Sequence, residues 1–427
     1  MRSIPPLLAD VPSSSGTSDL APAEIPNRST SSEESSTSST NRKTRRIWRS
    51  RSSTTRWPPP RLPPRSPPAT CPTWLALLAP SAARHYLIQS NGVDLSQYDP
   101  AVVKAYNVPG QGQIGIPFAV FPSYIYFNKD LFDEAGLPYP PQNFGDTYQG
   151  KEWNWDTLRD LAKQLTVDDK GNDATSADFR PDNIVQFGFD LQYGTDPRAM
   201  ATPFGANRLI DSEGRAQVPS NWLTAWNFFY DGMFKDHWMP NDPYRISDLF
   251  GKGSVFNSGH VAMAYTHLWY TCCIDPVSKG GKVKNWDIAV VPSYQGVTTA
   301  KLHADTFVIM KATPHPDQAF QVYRYLITNK DLLDVYGAMP AIGEMQAGFF
   351  RGLDDKFSPV KVNWQVAVAS LAYPDVPNHE EGLPNFLKAR QATTDFQTLI
   401  DTTPGLDINT EAQKLQTTLQ GIYNEVR

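Results

Sequence analysis

The chain has 427 residues, 40% of them hydrophobic, with 11 Trp, 18 Tyr and 21 Phe; that is enough for two or three domains of ~150 residues and a sizeable core with aromatics left over. Its three cysteines, Cys71, Cys272 and Cys273, exclude a disulfide framework, no apolar run approaches the ~20 residues of a membrane span, and no continuous apolar stretch of a secretory signal is readable at the start. The formal charge of −5 conceals an asymmetry: residues 1–93 carry 12 basic and 5 acidic residues, whereas residues 94–427 carry 27 and 39.

Residues 11–70 are rich first in Ser and Thr, then in Arg, then in Pro, without apolar periodicity. Nine basic residues crowd Arg42 to Arg65, and no acidic residue lies between Glu34 and Asp94. At face value this is a disordered basic tail of the kind that touches nucleic acid or anionic surfaces. Further on, Ser81 to Gln89 can form a short helix that Asn91 and Gly92 turn. Ile114–Phe118 and Ser123–Phe127 are β-branched and aromatic, as strands are. Asn128 is placed to cap a helix carrying Asp130, Asp133 and Glu134, which Gly136 and Pro138 stop. Asp156 is the expected cap of a second helix, with Leu158, Leu161, Ala162 and Leu165 on one face.

Ile184–Leu191 reads as a buried strand. Asn221–Phe234 reads as a helix whose Trp222, Trp226, Phe229 and Phe234 are mostly core. Asp248–Ser258 leads into a helix-turn-strand phrase, FNSGHVAMAY, and the adjacent Cys272 and Cys273 read as two buried thiols. Asp287–Val291 and Thr306–Met310 are expected strands around a loop, SYQGVTTAKLHAD. Pro316–Tyr336 is expected as one helix with Ala319, Phe320, Tyr323, Leu326 and Ile327 on one face, and residues 383–426 give further helices. Alternating strands and helices imply an α/β protein, in which ligands sit outside the carboxyl ends of strands.

Four phrases in series, covering about residues 81–427, resemble extracellular solute-binding proteins of family 1, the ligand-capturing subunits of ABC importers. They are IPFAVFPSYIYFNKDLFDEAGLP, FNSGHVAMAYTHLWY, NWDIAVVPSYQG and DTFVIMKATPHPDQAFQVYRYLIT. The resemblance implies an α/β, two-lobed periplasmic-binding-protein fold (type II-like), with a ligand cleft between lobes joined by crossing hinge strands. Residues 1–80 would form an anomalous head, 81–121 plus 302–337 the first lobe, and 124–300 plus 338–427 the second.

It implies a monomeric, extracytoplasmic receptor, periplasmic or a cell-surface lipoprotein. The receptor would bind a sugar or oligosaccharide by lobe closure and deliver it to a membrane permease, with no cofactor, no nucleic acid and no reaction. Resembling proteins place a polar sugar contact at the first crossing, where this chain has Phe121, which suits stacking or hinge packing; Ser123 and Tyr124 follow. Tyr193 falls at a sugar-contacting loop. Trp269 stands where relatives pack a Trp against a sugar ring, the alternative being core, and His267 precedes it by two residues. His303 and Asp305 lie in the second crossing, where a carboxylate can accept two hydroxyls. Trp364 and Tyr373 would supply a last wall. Apolar ring faces and hydroxyl rims of sugars match aromatics interleaved with Asp, His and Asn.

The same family carries a small-residue helix end followed by Gly-x-x-Pro-Asp-Val. Read one base earlier, the codons of Pro67 to Trp74 permit Ala-Ala-Gly-Asp-Leu-Pro-Asp-Val. The first ~75 residues therefore read as wholly or partly a frame-shifted translation of such an N-terminus. Two other function classes remain to be weighed: a carbohydrate-active hydrolase using Asp305 as one of two carboxylates, and a nucleic-acid-binding head. Metal chemistry has no sequence support, since the seven histidines show no HExxH and no spaced Cys/His cluster; there is also no Walker A sequence and no GxSxG elbow.

Overall fold

The computed structural model of the chain describes residues 93–108, 112–113, 115–192, 196–251, 254–310 and 312–425. The expectations for the head, for the helix at Ser81–Gln89 and its turn, and for Tyr193 lie outside the described residues. Strand β1, Ala119–Asn128, has all ten residues buried and carries the rest of a seven-stranded sheet. The other members are β2 (Val167–Asp168), β3 (Ile184–Leu191), β4 (Val261–His267), β5 (Trp286–Ala289), β6 (Leu302–Asp305) and β7 (Met339–Pro340). They run in the order β6-β1-β4-β3-β2, with β5 and β7 also paired to β1.

The register explains the length of β1. Its first half, Ala119–Pro122, is flanked by β6 and β7, both antiparallel, and its second half, Ser123–Asn128, by β4 and β5, also antiparallel. Two ladders therefore share one strand. The sequence suggested strands at Ile114–Phe118 and Ser123–Phe127; the second lies inside β1, whereas residues 115–118 are not strand. Pro122 lies within β1 as the last residue paired with β6, at the point where the partners change, and there a missing N–H is tolerated. β3 runs parallel to β4, the connection expected of an α/β unit.

Helix α1, Lys129–Ala135, follows β1 directly. Asn128 is extended and its side chain accepts from the Asp130 amide, while Gly136 closes the helix in the left-handed region, at φ 65°, where only glycine is at ease. Helix α2, Trp155–Gln164, is capped two residues before the expected Asp156. Asn154 is the extended residue, and its Oδ1 accepts from Thr157 N at 2.9 Å, leaving Asp156 to pair with Arg159 at 2.8 Å. A Cβ on Gly188 of β3 would stand 1.9 Å from the Ala162 carbonyl oxygen, so α2 packs on β3 by virtue of that glycine.

Helix α3 spans Ser220–Phe234, with Trp222, Trp226 and Phe229 fully buried. The expected single helix at Pro316–Tyr336 is two: α4, Pro316–Thr328, and α5, Lys330–Tyr336. Asn329 is extended between them, and its side chain accepts from Leu332 N at 2.8 Å, a cap that starts a new helix rather than prolonging the old one. Later helices are α6 (Gly343–Phe357), α7 (Gln365–Ser370), α8 (Phe386–Thr402) and α9 (Ile408–Asn424), and shorter ones span Pro100–Ala105, Pro197–Ala201 and Asp242–Arg245. The expected strand Thr306–Met310 is displaced: the paired residues are Leu302–Asp305, and Thr306–Ile309 has no regular structure.

Cys272 and Cys273 are not buried thiols. Cys272 is exposed and Cys273 half-buried, because they end the helical turn Leu268–Cys272 after Leu268, Tyr270 and Thr271 have filled the interior. One hydrophobic core runs through the assembly, with a satellite of Ile184, Phe187, Phe250, Val255 and Val261. Among the described residues no helix is long and apolar enough to cross a membrane.

Candidate functional site: an aromatic and histidine cluster at the shared strand

Strand periodicity gathers the site. In the two ladders Asp305 opposes Ala119, His303 opposes Phe121, and His267 opposes Ser123. Ala119, Phe121 and Ser123 alternate along β1, so the side chains of all six share one face of the sheet. The turn Leu268–Cys272 then folds Trp269 back over this face. Its ring stacks on His267 at 4.0 Å between centroids, meets His303 edge-on at 4.6 Å and meets Phe121 at 5.5 Å. His267 and His303 stand at 4.2 Å. Phe121, His267, Trp269 and His303 thus form one group, in which Trp269 is half-buried and the other three are buried.

Asp305 lies at the end of the same row. Tyr336, the last residue of α5, donates to its Oδ2 at 2.5 Å and also edges Phe121 at 6.2 Å. Ser123 is on the face but fully buried, with Oγ 3.0 Å from the Tyr265 hydroxyl. Tyr124, one residue on, points to the opposite face and hydrogen-bonds Tyr126 at 3.0 Å. Trp364 is elsewhere: it stacks on Phe350, meets Trp286 edge-on and donates Nε1 to Asp354 at 2.9 Å. Tyr373 packs on Phe144, at 4.1 Å.

The structure adds residues that sequence reasoning missed. The loop after α7 brings His379 to His303, Nε2 to Nε2, at 3.1 Å. His379 Nδ1 is 2.5 Å from Asp375 Oδ2, and Asp375 Oδ1 accepts from Leu302 N at 2.8 Å, which ties this loop to β6. Glu380 Oε2 lies 3.0 Å from His303 Nδ1. His303 and His379 are 76 positions apart, so no local spacing announces them.

The electrostatics are those of a dry, mixed-charge patch. Burial first, then the neighbouring His303, Lys301 and His379, push the His267 imidazole well below its ordinary range. Burial also brings the Lys301 ammonium, over the Tyr265 ring at 4.7 Å, down to about 8 against the pull of Asp375 and Glu380. Burial raises the Asp305 carboxyl, opposed by the Tyr336 hydrogen bond. At Glu380 burial acts upward too, but His303, His379 and Arg198 outweigh it and hold the carboxyl at about 2. One ring nitrogen, His267 Nε2, is buried without a hydrogen-bond partner among the described residues, whereas His303 Nδ1 is paired with Glu380. Such a group in a low-dielectric setting binds an incoming polar group strongly. Aromatic faces beside an unmatched polar atom suit a ligand that has both an apolar face and hydroxyls.

The family described as bacterial extracellular solute-binding protein matches residues 73–332. No curated protein matches the chain. Several solved structures are similar. UspC of M. tuberculosis is 20% identical with a TM-score of 0.60, over 80% of this chain and 84% of that one. An ABC substrate-binding protein of Listeria monocytogenes, in complex with cycloalternan, is 16% identical with a TM-score of 0.56, over 81% and 80%. A maltotriose binding protein of Thermus thermophilus, bound with maltotriose, is 16% identical with a TM-score of 0.50, over 80% of each. The fold is that of the two-lobed periplasmic binding proteins.

Proposed function

The chain belongs to the bacterial extracellular solute-binding proteins, and from that premise we propose that it is the sugar receptor of an ABC importer, holding a carbohydrate against Trp269 and Phe121. The family's working place is outside the cytoplasm. Similar proteins have been solved with cycloalternan and with maltotriose, and this chain is expected to take a ligand of that chemical class.

The observation that carries the reading is the group Phe121, His267, Trp269 and His303 on one face of the paired strands β1 and β6. A pyranose face stacks on the half-buried indole, and a hydroxyl reaches the unmatched Nε2 of His267. Asp305, already oriented by Tyr336, accepts a further hydroxyl as a charge-assisted bond. In this reading the two lobes are residues 81–121 plus 302–337, and 124–300 plus 338–427, with β1 and β6 crossing between them at Phe121. A ligand touching both sides shifts an open population to a closed one, and the closed form is what a permease recognises.

The hydrolase alternative built on Asp305 has no support from the family or from the similar structures, which are binding proteins. The test is a thermal-shift screen of mono- and oligosaccharides. A true ligand at about 100 times its Kd adds ~2.7 kcal/mol of stability and raises Tm. A screen across neutral sugars, oligosaccharides and polyols that leaves Tm unmoved contradicts the reading.

A further inference from the structure

We propose that Cys272 and Cys273 close into a reversible disulfide between adjacent residues, and that this bond fixes the turn carrying Trp269. The sequence reads the pair as buried thiols, but Cys272 is exposed and Cys273 half-buried. Their sulfurs stand 2.9 Å apart, well inside nonbonded sulfur contact. The backbone around them is already pinned. The Cys273 amide donates to the Tyr270 carbonyl at 2.8 Å. The buried Tyr270 hydroxyl accepts from the Asn257 amide at 3.1 Å, and the Asn257 side chain accepts from the Asp275 amide at 2.9 Å and donates to its carboxylate at 2.8 Å. Lys356 Nζ donates to the Thr271 carbonyl at 2.6 Å. Two thiols are thus presented side by side at the surface by a segment anchored on both flanks.

The oxidant is an external disulfide of the glutathione or dithiol-oxidase class, supplied by the oxidising space outside the cytoplasm; for that setting the inference rests on the extracytoplasmic reading above. The exposed Cys272, as thiolate, attacks one sulfur of that disulfide and releases the other as a thiol. Cys273 gives up its proton and attacks Cys272 Sγ, which breaks the mixed disulfide and expels the second thiol. Two S–H groups are oxidised, one S–S bond is reduced, and both protons leave on the two released thiols. The Lys356 ammonium feels both cysteines, and a cation beside a thiol favours the attacking thiolate. Adjacent Cα atoms stand only ~3.8 Å apart, below the ~4.4 Å at which ordinary disulfides begin, so the bond is strained and readily reduced again. Closing it removes side-chain freedom from the last residue of the turn Leu268–Cys272, whose Trp269 stacks on His267 at 4.0 Å.

Full-length protein is equilibrated with oxidised and reduced glutathione in graded ratios, its remaining thiols are blocked by alkylation, and it is digested with trypsin without reductant. The peptide of residues 253–279 holds Cys272 and Cys273 but not Cys71. From the oxidised buffer it is expected to be two hydrogens lighter than its dithiol form and to carry no blocking group; from the reduced buffer it carries one on each cysteine. Amide hydrogen exchange over residues 268–273 is expected to slow at least about threefold on oxidation. Cys272→Ser, at an exposed position, abolishes that change. A peptide that carries only bound glutathione, chains joined to one another through Cys272, or exchange that oxidation leaves unaltered would each overturn the proposal. Neither measurement uses a sugar, so an unresponsive sugar screen removes only the receptor reading and a failed thiol assay removes only this one.

Discussion

Two regions of this protein are equally aromatic and almost equally buried, yet only one has the chemistry of a binding site. Around Trp155 the rings of Phe189, Phe204, Phe228, Phe229 and Tyr265 crowd within 6.4 Å. Three indoles there are satisfied by backbone carbonyls, Trp155 by Pro203, Trp222 by Gly205 and Trp226 by Pro197, while Trp238 Nε1 has no partner among the described residues. At the shared strand, Phe121 and Trp269 are mixed with three histidines, and the His267 Nε2 has no partner among the described residues. Aromatic content alone does not distinguish core from site. The difference lies in whether the polar atoms between the rings are already matched.

Breaking the first region should cost stability and nothing specific. Trp155→Ala removes a fully packed ring and is expected to lower stability by about 3–5 kcal/mol in a denaturant titration, with ligand binding impaired only as far as the fold is lost. The buried group Arg245, Asp190 and Asp401 sharpens the boundary, because it too has oxygens without hydrogen-bond partners among the described residues, Asp190 Oδ2 and Asp401 Oδ1. There the Arg245 guanidinium supplies the counter-charge, 2.9 Å from Asp190 Oδ1 and 3.8 Å from Asp401 Oδ1.

Burial lifts the Asp401 carboxyl from 3.8 to about 6, against Arg245. The folded chain therefore holds a proton that the unfolded chain releases in that window, and this contribution to stability is present below about 3.8 and declines as pH rises to about 6. Asp401→Asn is expected to remove that decline, a difference of up to about 3 kcal/mol between the pH profiles of the two proteins. The profiles are measured by denaturation at pH 4 and pH 6.5.

Trp269→Ala should do the reverse of Trp155→Ala. The ring is half-buried, so a stability loss of about 1 kcal/mol is expected, while carbohydrate affinity falls by tenfold or more, equal to about 1.4 kcal/mol. A variant with wild-type affinity would move Trp269 from the site to the core. The smallest expected effect lies away from both regions: Asn154→Ala deletes the α2 cap and costs about 1 kcal/mol without changing ligand affinity.

Much of the scaffold was legible in the sequence, for local reasons. Asn128 and Gly136 bracket α1 by side-chain capping and a positive φ, and Ile184–Leu191 is a strand over the expected residues. Where two local signals compete, tertiary context chose. Asn154 and Asp156 are both of capping type, and Asn329 starts a new helix inside the span expected as one, Pro316–Tyr336.

The candidate site was legible only in part. Phe121, His267, Trp269 and His303 could be singled out because they fall in phrases of family type, and the ladder register brings them to one face. Ser123 and Tyr124 share the same phrase, but one is bonded inside the sheet and the other points to its far side. Trp364 sits in a separate aromatic group. Asp375, His379 and Glu380 arrive from a distant loop, and no period or motif in the sequence links them to His303. Tyr193 and the head lie outside the described residues, and the family match begins at residue 73.

The central claim, that the face made by Phe121, His267, Trp269 and His303 receives a carbohydrate, is tested most directly by tryptophan fluorescence during oligosaccharide titration of the wild type and of Trp269→Ala. The account predicts a saturable change in the wild type, without turnover of the sugar, that is lost or displaced at least tenfold in a variant that still melts cooperatively. A saturable wild-type response that persists with unchanged affinity in Trp269→Ala would contradict it.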